Sequence, residues 1–213
     1  IIKAASGAML PIVAKKACDS GLTGLEFATQ IPGTIGGAVY MNAGAFGGDM
    51  SDTVQSVTTI DMNGAVKHYK SEEADFGYRT SIFSKKNEII TEAVLGLLKG
   101  DKDRISEKVL SIHEKRAASQ PVGKRSAGST FRKISDGDTP ESMTPAWKLI
   151  QQAGMKDASV GGARVSEKHS GFVINDGGAT AADIYTLINE IIDQVKNRTG
   201  VTLEPEIKML GEF

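Results

Sequence analysis

The sequence has few of the residues that mark metalloproteins, disulfide-rich proteins or membrane proteins. Its 213 residues include one cysteine, Cys18, and three histidines at positions 68, 113 and 169. A single thiol excludes an internal disulfide framework and is typical of the reducing cytoplasm. The scattered histidines do not make a usual zinc site. No apolar run approaches the roughly 20 residues of a membrane-spanning helix. We therefore expect a cytoplasmic protein without a metal ion.

An excess of charge of either sign is also lacking. The 25 lysines and arginines balance 26 acidic residues, which leaves a formal net charge of −1 at pH 7. This balance does not indicate a polyanion or a membrane surface as a partner, so we expect neither nucleic acid nor lipid binding. The length suits one large domain or two small ones with a real hydrophobic core.

What the chain does have is a glycine-rich stretch from Gly21 to Gly48, in which Glu26 is the only charged residue. Glycine is retained where the backbone needs a positive φ or a very close approach. Successive exposed amides could form a nest for a phosphate, although a tightly packed turn between core strands is the alternative. The spacing matches neither the dinucleotide fingerprint nor the P-loop. It favours a nucleotide cofactor held by another fold.

Hydrophobic periodicity predicts two regions with a boundary near residue 103. In the first, we expect a helix over 9–20, a hairpin over 54–69 that turns at Asn63-Gly64, and a strand over 88–98. A helix over 103–118, with Ile105, Val109 and Ile112 on one stripe, opens the second region. There the expected elements are a polar, turn-rich stretch from Ser119 to Pro145, a helix over 145–153, strands at 163–165 and 172–175, a helix over 180–197 and a closing strand that begins at 201–203.

Three short segments combine reactive groups with turns. The sequence FGYR places Arg79 directly after an aromatic residue and a glycine, where its planar fork could bind a carboxylate or phosphate. The sequence RSAGSTFRK surrounds Ser129 with cations. The sequence LEPEIK places Glu204 and Glu206 on one side of an expected strand. Each has an ordinary alternative, namely a surface arginine, a solvated loop and exposed edge-strand glutamates.

Taken in order, five segments resemble the UDP-N-acetylenolpyruvoylglucosamine reductase family, the flavoenzymes of bacterial peptidoglycan precursor synthesis. They are GLTGLEFATQIPGTIGGAVYMNAGAFGG, FGYRTSIF, SAGSTFRK, LIQQAGMKDASVGGARVSEKHSGFVIN and LEPEIKMLG. The resemblance implies an α+β fold: the C-terminal part of a vanillyl-alcohol-oxidase-type FAD-binding domain (1–103), then a smaller α/β substrate-binding domain with a C-terminal catalytic strand (104–213). It implies FAD as cofactor, NADPH as hydride donor and UDP-N-acetylglucosamine enolpyruvate as substrate. We also expect a monomer.

The resemblance assigns roles to individual residues. Arg79 would stabilise the developing enolate, Ser129 would deliver a proton to it, and Glu206 would hydrogen-bond the substrate carboxylate. The family's flavin-contacting loops fall on Pro32, Gly33, Thr34, Ile35, Gly36, Gly37, Ala38, Asn42, Ala43 and Gly44. The expected substrate contacts are Tyr78, Lys124, Arg125, Lys133 and Lys208.

The chain also departs from the family pattern. The family usually reads Phe-Lys-Asn-Pro where this chain has Phe131-Arg132-Lys133-Ile134, so Lys133 is the candidate substitute for the asparagine. The short spacing between Arg79 and Ser129 resembles the compact subclass. No segment matches the family's N-terminal Gly-x-Gly-Ser-Asn phosphate loop, and we expect a chain that lacks its true N-terminus.

Two alternative functions stay open at this point. Another FAD oxidoreductase of the same fold would explain the glycine-rich loops without requiring Ser129 and Glu206 to share a cleft. A non-catalytic nucleotide-sugar binding module would explain the basic segment around Ser129 without any turnover.

Overall fold

The computed structural model of the protein describes residues 1–135 and 143–212. The chain packs as two compact units, the first over Ile1–Lys115 and the second from Arg116 onward, and each has its own hydrophobic core. The sequence places a boundary near residue 103, where a long helix begins, and the packing divides within that same helix. Residues 136–142 of the expected polar stretch lie outside the described residues.

The first unit is built on a four-stranded antiparallel sheet. Short 3-10 turns occur at Glu26–Gln30, Met50–Asp52, Ser71–Glu73 and Ile82–Ser84. The helices and strands are β1 (Ile2–Ala5), α1 (Leu10–Asp19), β2 (Leu22–Thr23), α2 (Ile35–Tyr40), β3 (Gly44–Ala45), β4 (Gly48–Asp49), β5 (Val54–Asp61), β6 (Val66–Lys70), β7 (Glu88–Leu95), β8 (Leu98–Lys99) and α3 (Lys102–Ser119), the last of which runs into the second unit.

The strands lie in the order β1-β7-β5-β6. Strands β5 and β6 form the expected hairpin, in which the carboxylate of Asp61 accepts hydrogen bonds from the amides of Asn63 and Ala65. Gly64 has a φ of +87°, a conformation that glycine adopts without a steric cost. The hairpin prediction is therefore confirmed. The strand expected over 88–98 ends at Leu95, and two residues separate it from β8.

Helix α1 covers one side of the first unit's core. It buries Leu10, Ala14 and Ala17, which lie on one face at helical spacing. The expected helix is confirmed, but the apolar Ile12 does not belong to this face and its side chain is exposed. The small Ala14 lies one turn beyond Leu10 and continues the buried face instead.

A buried carboxylate anchors the segment that follows α1. The Glu26 side chain is 1% exposed, and it accepts hydrogen bonds from the Thr23 hydroxyl at 2.5 Å and the Gly24 amide at 3.0 Å. Lys108 of α3 lies 3.4 Å away. Burial alone would raise the pKa of Glu26, but these hydrogen bonds and the lysine charge outweigh it and hold the pKa below its ordinary value.

The second unit packs two helices against a four-stranded antiparallel sheet and a separate two-stranded ribbon. Its elements are β9 (Arg125–Ser126), β10 (Ile134–Ser135), β11 (Met143–Thr144), α4 (Ala146–Gln152), β12 (Ser159–Val160), β13 (Ala163–Val165), β14 (Val173–Asn175) and α5 (Ala181–Thr199). The sheet order is β12-β13-β14-β9, and β10 pairs with β11. Within the described residues of both units, no helix is long and apolar enough to cross a membrane.

Helix α5 has the end signals that its sequence predicts. Thr180 and Asp183 form a reciprocal capping box at its start, and Gly200 ends it at a φ of +76°. Its core face consists of Leu187, Ile188, Ile191 and Val195, which are buried. The predicted helix, and those over 103–118 and 145–153, are confirmed.

The expected closing strand is wrong. Residues 201–204 form no strand; within the described residues the C-terminal segment makes one β-bridge, between Phe131 and Pro205, while Leu203 packs into the core of the unit. Two hydrogen bonds flank this bridge, from the Arg132 amide to the Glu204 carbonyl and from the Glu206 amide to the Thr130 carbonyl, and the pairing goes no further on one side because the Thr130 amide donates to Gly171 instead of Glu206. The C-terminal catalytic strand implied by the family resemblance is therefore a one-residue bridge, and Glu204 and Glu206 do not stand on a regular strand.

The buried Glu26 yields a prediction for pH-dependent stability. At pH 7 we expect Glu26→Gln to lower the free energy of unfolding by about 1–3 kcal/mol, because the amide leaves part of the donor set unpaired. The folded-state pKa is lowered, so the carboxylate stabilises the fold above its unfolded pKa of about 4.3, and this contribution is lost as pH falls through the folded value. In denaturant unfolding, the free energies of unfolding of the parent and Glu26→Gln should converge as the pH falls from 7 to 3. Glu114→Gln on the exposed surface of α3 is the matched control, and a constant gap would contradict the prediction.

Candidate active site

Three successive backbone amides at the start of α2 donate hydrogen bonds within the protein. The Gly36 amide donates to the Ser6 carbonyl at 2.8 Å, and the Ile35 amide donates to the Ala8 carbonyl at 2.9 Å. The Gly37 amide donates to the Thr34 hydroxyl at 3.3 Å, which caps the helix. These three amides therefore do not form the anion nest that the glycine content suggested, and that physical reading is wrong for them.

What the glycines do provide is close approach. A Cβ on Gly36 would lie 2.8 Å from the Cβ of Ser6, closer than the packing permits, whereas one on Gly37 would meet only the Thr34 hydroxyl at 3.6 Å. Beside them the first unit has a groove of about 430 Å³, lined among others by Tyr40 and Glu88. This volume is within the range of small-molecule sites. The groove thus presents a glycine backbone as one of its walls.

Glu88 is a functional-site candidate that the sequence analysis missed. Its side chain is 6% exposed, and it accepts hydrogen bonds from the Thr59 hydroxyl at 2.7 Å, the Lys67 ammonium at 2.9 Å and the Tyr69 hydroxyl at 3.0 Å. The Thr59 hydrogen bond, followed by those from Lys67 and Tyr69, lowers the pKa of Glu88 against the effect of burial. Lys67 and Tyr69 are two apart on β6 and share a face, but only the strand order brings Glu88 of β7 within their reach.

A second loop of the first unit is fixed by Asn42. Its backbone has a φ of +43°, which asparagine tolerates better than most residues, and its side chain is buried. The amide nitrogen Nδ2 donates to the Gly77 carbonyl at 3.0 Å, and Oδ1 accepts from the Ser51 amide at 2.9 Å. Asn42 therefore ties the predicted flavin loop to the FGYR turn.

Arg79 is attached to the same loop. Its Nη2 donates to the Gly44 carbonyl at 2.6 Å, and its guanidinium lies 5.0 Å from the centre of the Tyr78 ring. Arg79 also has a φ of +52°, an uncommon conformation for an arginine. Residues held in such conformations cluster at ligand-binding sites, because the surrounding structure must stabilise them. The structure thus places Arg79, Tyr78, Asn42 and Gly44 together within the first unit.

In the second unit, Thr130 is the residue that holds the Ser129 turn. Its amide donates to the Gly171 carbonyl at 2.8 Å, and its carbonyl accepts from the Glu206 amide at 2.8 Å. Its buried hydroxyl accepts from the Val173 amide at 3.0 Å. The C-terminal segment is therefore joined to the residue next to Ser129.

Ser129 and Glu206 consequently lie in one small part of the second unit. The Ser129 side chain is exposed, and its hydroxyl donates to the Phe131 carbonyl at 3.2 Å. Glu206 is half-buried, and its backbone is paired with the residue that follows Ser129. Two of the three residues expected to be catalytic are brought together in this way, and the third, Arg79, belongs to the first unit.

The expected substrate cations differ in their surroundings. Lys124 forms an ion pair with Asp176 at 2.8 Å, and this lysine lowers the pKa of that carboxyl. Arg164 lies 3.5 Å from the other oxygen of Asp176, so Lys124 shares a partner with a second cation. Arg125, Lys133 and Lys208 are exposed side chains. The positive field around Ser129 is thus partly neutralised at Lys124.

Family models match segments of both units. A family model described as UDP-N-acetylenolpyruvoylglucosamine reductase, C-terminal domain, matches residues 120–210, and a model described as FAD binding domain matches residues 1–70. The two matches follow the order of the two units. They confirm the expected α+β fold, in which an FAD-binding domain precedes a reductase C-terminal domain.

Relatives match along nearly the whole chain. A UDP-N-acetylenolpyruvoylglucosamine reductase of Agathobacter rectalis is 46% identical over 100% of this chain and 66% of its own, and one of Clostridium perfringens is 45% identical over 99% and 67%. The crystal structure of UDP-N-acetylenolpyruvylglucosamine reductase (MurB) from Thermus caldophilus superposes with a TM-score of 0.83 at 33% identity, covering 97% of this chain and 71% of that one. The chain spans about two thirds of the length of the curated relatives it matches.

The Asn42 contacts predict a stability effect. We expect Asn42→Asp to lower the free energy of unfolding by about 1–3 kcal/mol, because the variant loses the donor to Gly77 and places a carboxylate oxygen against that carbonyl. Asn63→Asp, an identical change in the exposed hairpin loop, should alter it by less than about 0.5 kcal/mol. Equal losses in denaturant unfolding of the two variants would contradict the role given to Asn42.

Proposed function

The chain belongs to the UDP-N-acetylenolpyruvoylglucosamine reductase family, and we propose that it acts in the flavin-dependent reduction of UDP-N-acetylglucosamine enolpyruvate to UDP-N-acetylmuramate, with NADPH as hydride donor. In this proposal the first unit binds FAD, the second binds the sugar nucleotide, and the protein works as a cytoplasmic monomer. The observation that carries it is the backbone pairing that joins Glu206 to the residue after Ser129.

In this proposal, the groove beside α2 would hold the flavin nucleotide. Its wall of glycine backbone at Gly36 and Gly37 allows a flat ligand to approach closely, and Tyr40 offers an aromatic side chain. Thr34, with the loop from Asn42 to Gly44, completes the residues that would hold the cofactor. When bound, the flavin supplies hydride-transfer chemistry.

Arg79 would bind the carboxylate of the enolpyruvyl group. Negative charge develops on that group during the reduction, and a guanidinium already oriented by protein contacts stabilises it without reorganisation. The hydrogen bond to Gly44 and the Tyr78 ring supply this orientation.

Ser129 would give its proton to the α-carbon. Serine is a weak acid at its ordinary pKa, so the transfer needs cations that stabilise the resulting alkoxide. Arg125 and Lys133 are the exposed cations in the same segment, and Lys133 stands where the family usually has asparagine. Glu206 would hydrogen-bond the substrate carboxylate, and Lys208 would contact a phosphate.

A spectral experiment separates the two half-reactions. The protein is purified with FAD, both as this chain and joined to the residues of the Agathobacter rectalis relative that it does not match. NADPH should bleach the flavin absorbance, and the enolpyruvyl substrate should restore it. Bleaching without substrate-dependent recovery in both forms would overturn the proposed reaction.

Ser129→Ala should block the second half-reaction only. We expect flavin reduction by NADPH to keep its rate, while substrate-dependent reoxidation falls about 10²–10⁴-fold, because general acid catalysis is lost. Ser159→Ala, an equivalent change at an exposed position of β12, is the control. Reoxidation at the unaltered rate in Ser129→Ala would remove Ser129 from the mechanism.

The two C-terminal glutamates offer a matched pair for the carboxylate role. Glu206→Ala should reduce reoxidation about 10²–10³-fold, the usual cost of one lost stabilising group, whereas Glu204→Ala should stay near the parent rate because Glu204 is exposed. Single-turnover stopped-flow traces measure both. A larger loss in Glu204→Ala than in Glu206→Ala would show that the role belongs to the other glutamate.

A further inference from the structure

The loop between β13 and β14 is closed by contacts centred on His169. The His169 Nδ1 accepts a hydrogen bond from the Gly171 amide at 3.1 Å, and the His169 carbonyl accepts from the Phe172 amide at 2.9 Å. The Ser166 amide donates across the loop to the Phe172 carbonyl at 2.9 Å. The imidazole therefore fixes the peptide group of Gly171 at the point where the chain enters β14.

Gly171 also contacts the Ser129 turn, through its carbonyl group. Its carbonyl accepts the Thr130 amide at 2.8 Å, so Gly171 receives the imidazole contact at its nitrogen and supports Thr130 at its oxygen. A Cβ on Gly171 would lie 2.9 Å from Cε1 and 3.0 Å from Nδ1 of His169. Glycine at this position thus allows the ring to come close enough to accept.

We propose that His169 is a positioning residue for Ser129: its Nδ1 fixes the backbone of Gly171, whose carbonyl sets the backbone of Thr130 next to the serine. The catalytic consequence rests on the proposed function, because it assumes that Ser129 delivers a proton. Neutral imidazole has one donor and one acceptor nitrogen, so acceptance at Nδ1 assigns the ring proton to Nε2. Burial lowers the pKa of His169, in keeping with a neutral ring.

A packing role is the competing explanation. The His169 ring contacts Phe172 edge-on with centroids 4.9 Å apart and Trp147 at 6.4 Å, so it also fills space between α4 and the loop. The two roles require different properties of a residue that replaces His169. Positioning needs an acceptor for the Gly171 amide, whereas packing needs an aromatic ring.

Two variants separate these demands. His169→Asn keeps an acceptor able to bond the amide two residues on, as in an Asx turn, and removes the ring. His169→Phe keeps an aromatic ring and removes the acceptor. Gly171→Ala is a second way to break the contact, since the added methyl group collides with the imidazole while His169 is retained.

Hydrogen exchange of the Thr130 amide is the direct measurement. We expect exchange to become about tenfold faster in His169→Phe and in Gly171→Ala, and to stay within a few-fold of the parent in His169→Asn. The Ile188 amide in α5 is the internal control. Thr130 protection in His169→Phe equal to or better than that in His169→Asn would overturn the proposal, and Gly171→Ala decides the matter if His169→Phe does not fold.

Turnover provides the functional test. A small displacement of a reacting group costs about 10²-fold in rate, so kcat for reoxidation should fall by up to that factor in His169→Phe, with KM nearly unchanged, and be largely retained in His169→Asn. If the parent protein does not turn over, the proposed function fails, but the exchange experiment still decides whether His169 positions the turn. If exchange is unaffected in an active protein, only this inference fails.

Discussion

The second unit depends on the hydrogen bonds of Thr130. Its amide, carbonyl and hydroxyl each bind a different partner, at Gly171, Glu206 and Val173. A buried polar group left unpaired costs about 1–3 kcal/mol, so these contacts hold the three segments at one relative position. A regular antiparallel ladder would direct the Thr130 amide to Glu206, whereas here that amide donates to Gly171 and so links a further segment. The proximity of Ser129 and Glu206 follows from this irregular pairing.

In the first unit, two loops are held together by residues with unusual backbone conformations. The predicted flavin loop and the FGYR turn are held together by Asn42 and Arg79, and both residues have positive φ. The strain of these conformations is offset by hydrogen bonds to Gly77 and Gly44. The glycines of α2 do not supply unpaired amides; they allow the helix to pack against the segment after β1 and leave a groove beside it.

Regular elements could be predicted from the sequence because their signals are local. Helix α5 has its cap, its buried stripe and its terminal glycine within one continuous stretch, and the β5–β6 hairpin has Asn63-Gly64 at its turn. The site contacts could not be predicted in this way. The partner of Lys124 is Asp176, and the partners of Glu88 include Thr59 on another strand, so each pair depends on tertiary pairing that no local pattern encodes.

The arrangement around Ser129 bears on the alternatives that the sequence left open. A binding module needs cations for a diphosphate, yet one expected cation, Lys124, is paired with Asp176. A binding module also does not require the half-buried Glu206 to pair with the backbone of Thr130, next to the exposed Ser129 hydroxyl. A proton-transfer site needs both groups at a fixed separation, because small displacements cost large factors in rate. The junction at Thr130 fixes the backbones of Ser129 and Glu206 within the second unit, an arrangement that the proposed reaction uses and a binding module does not require.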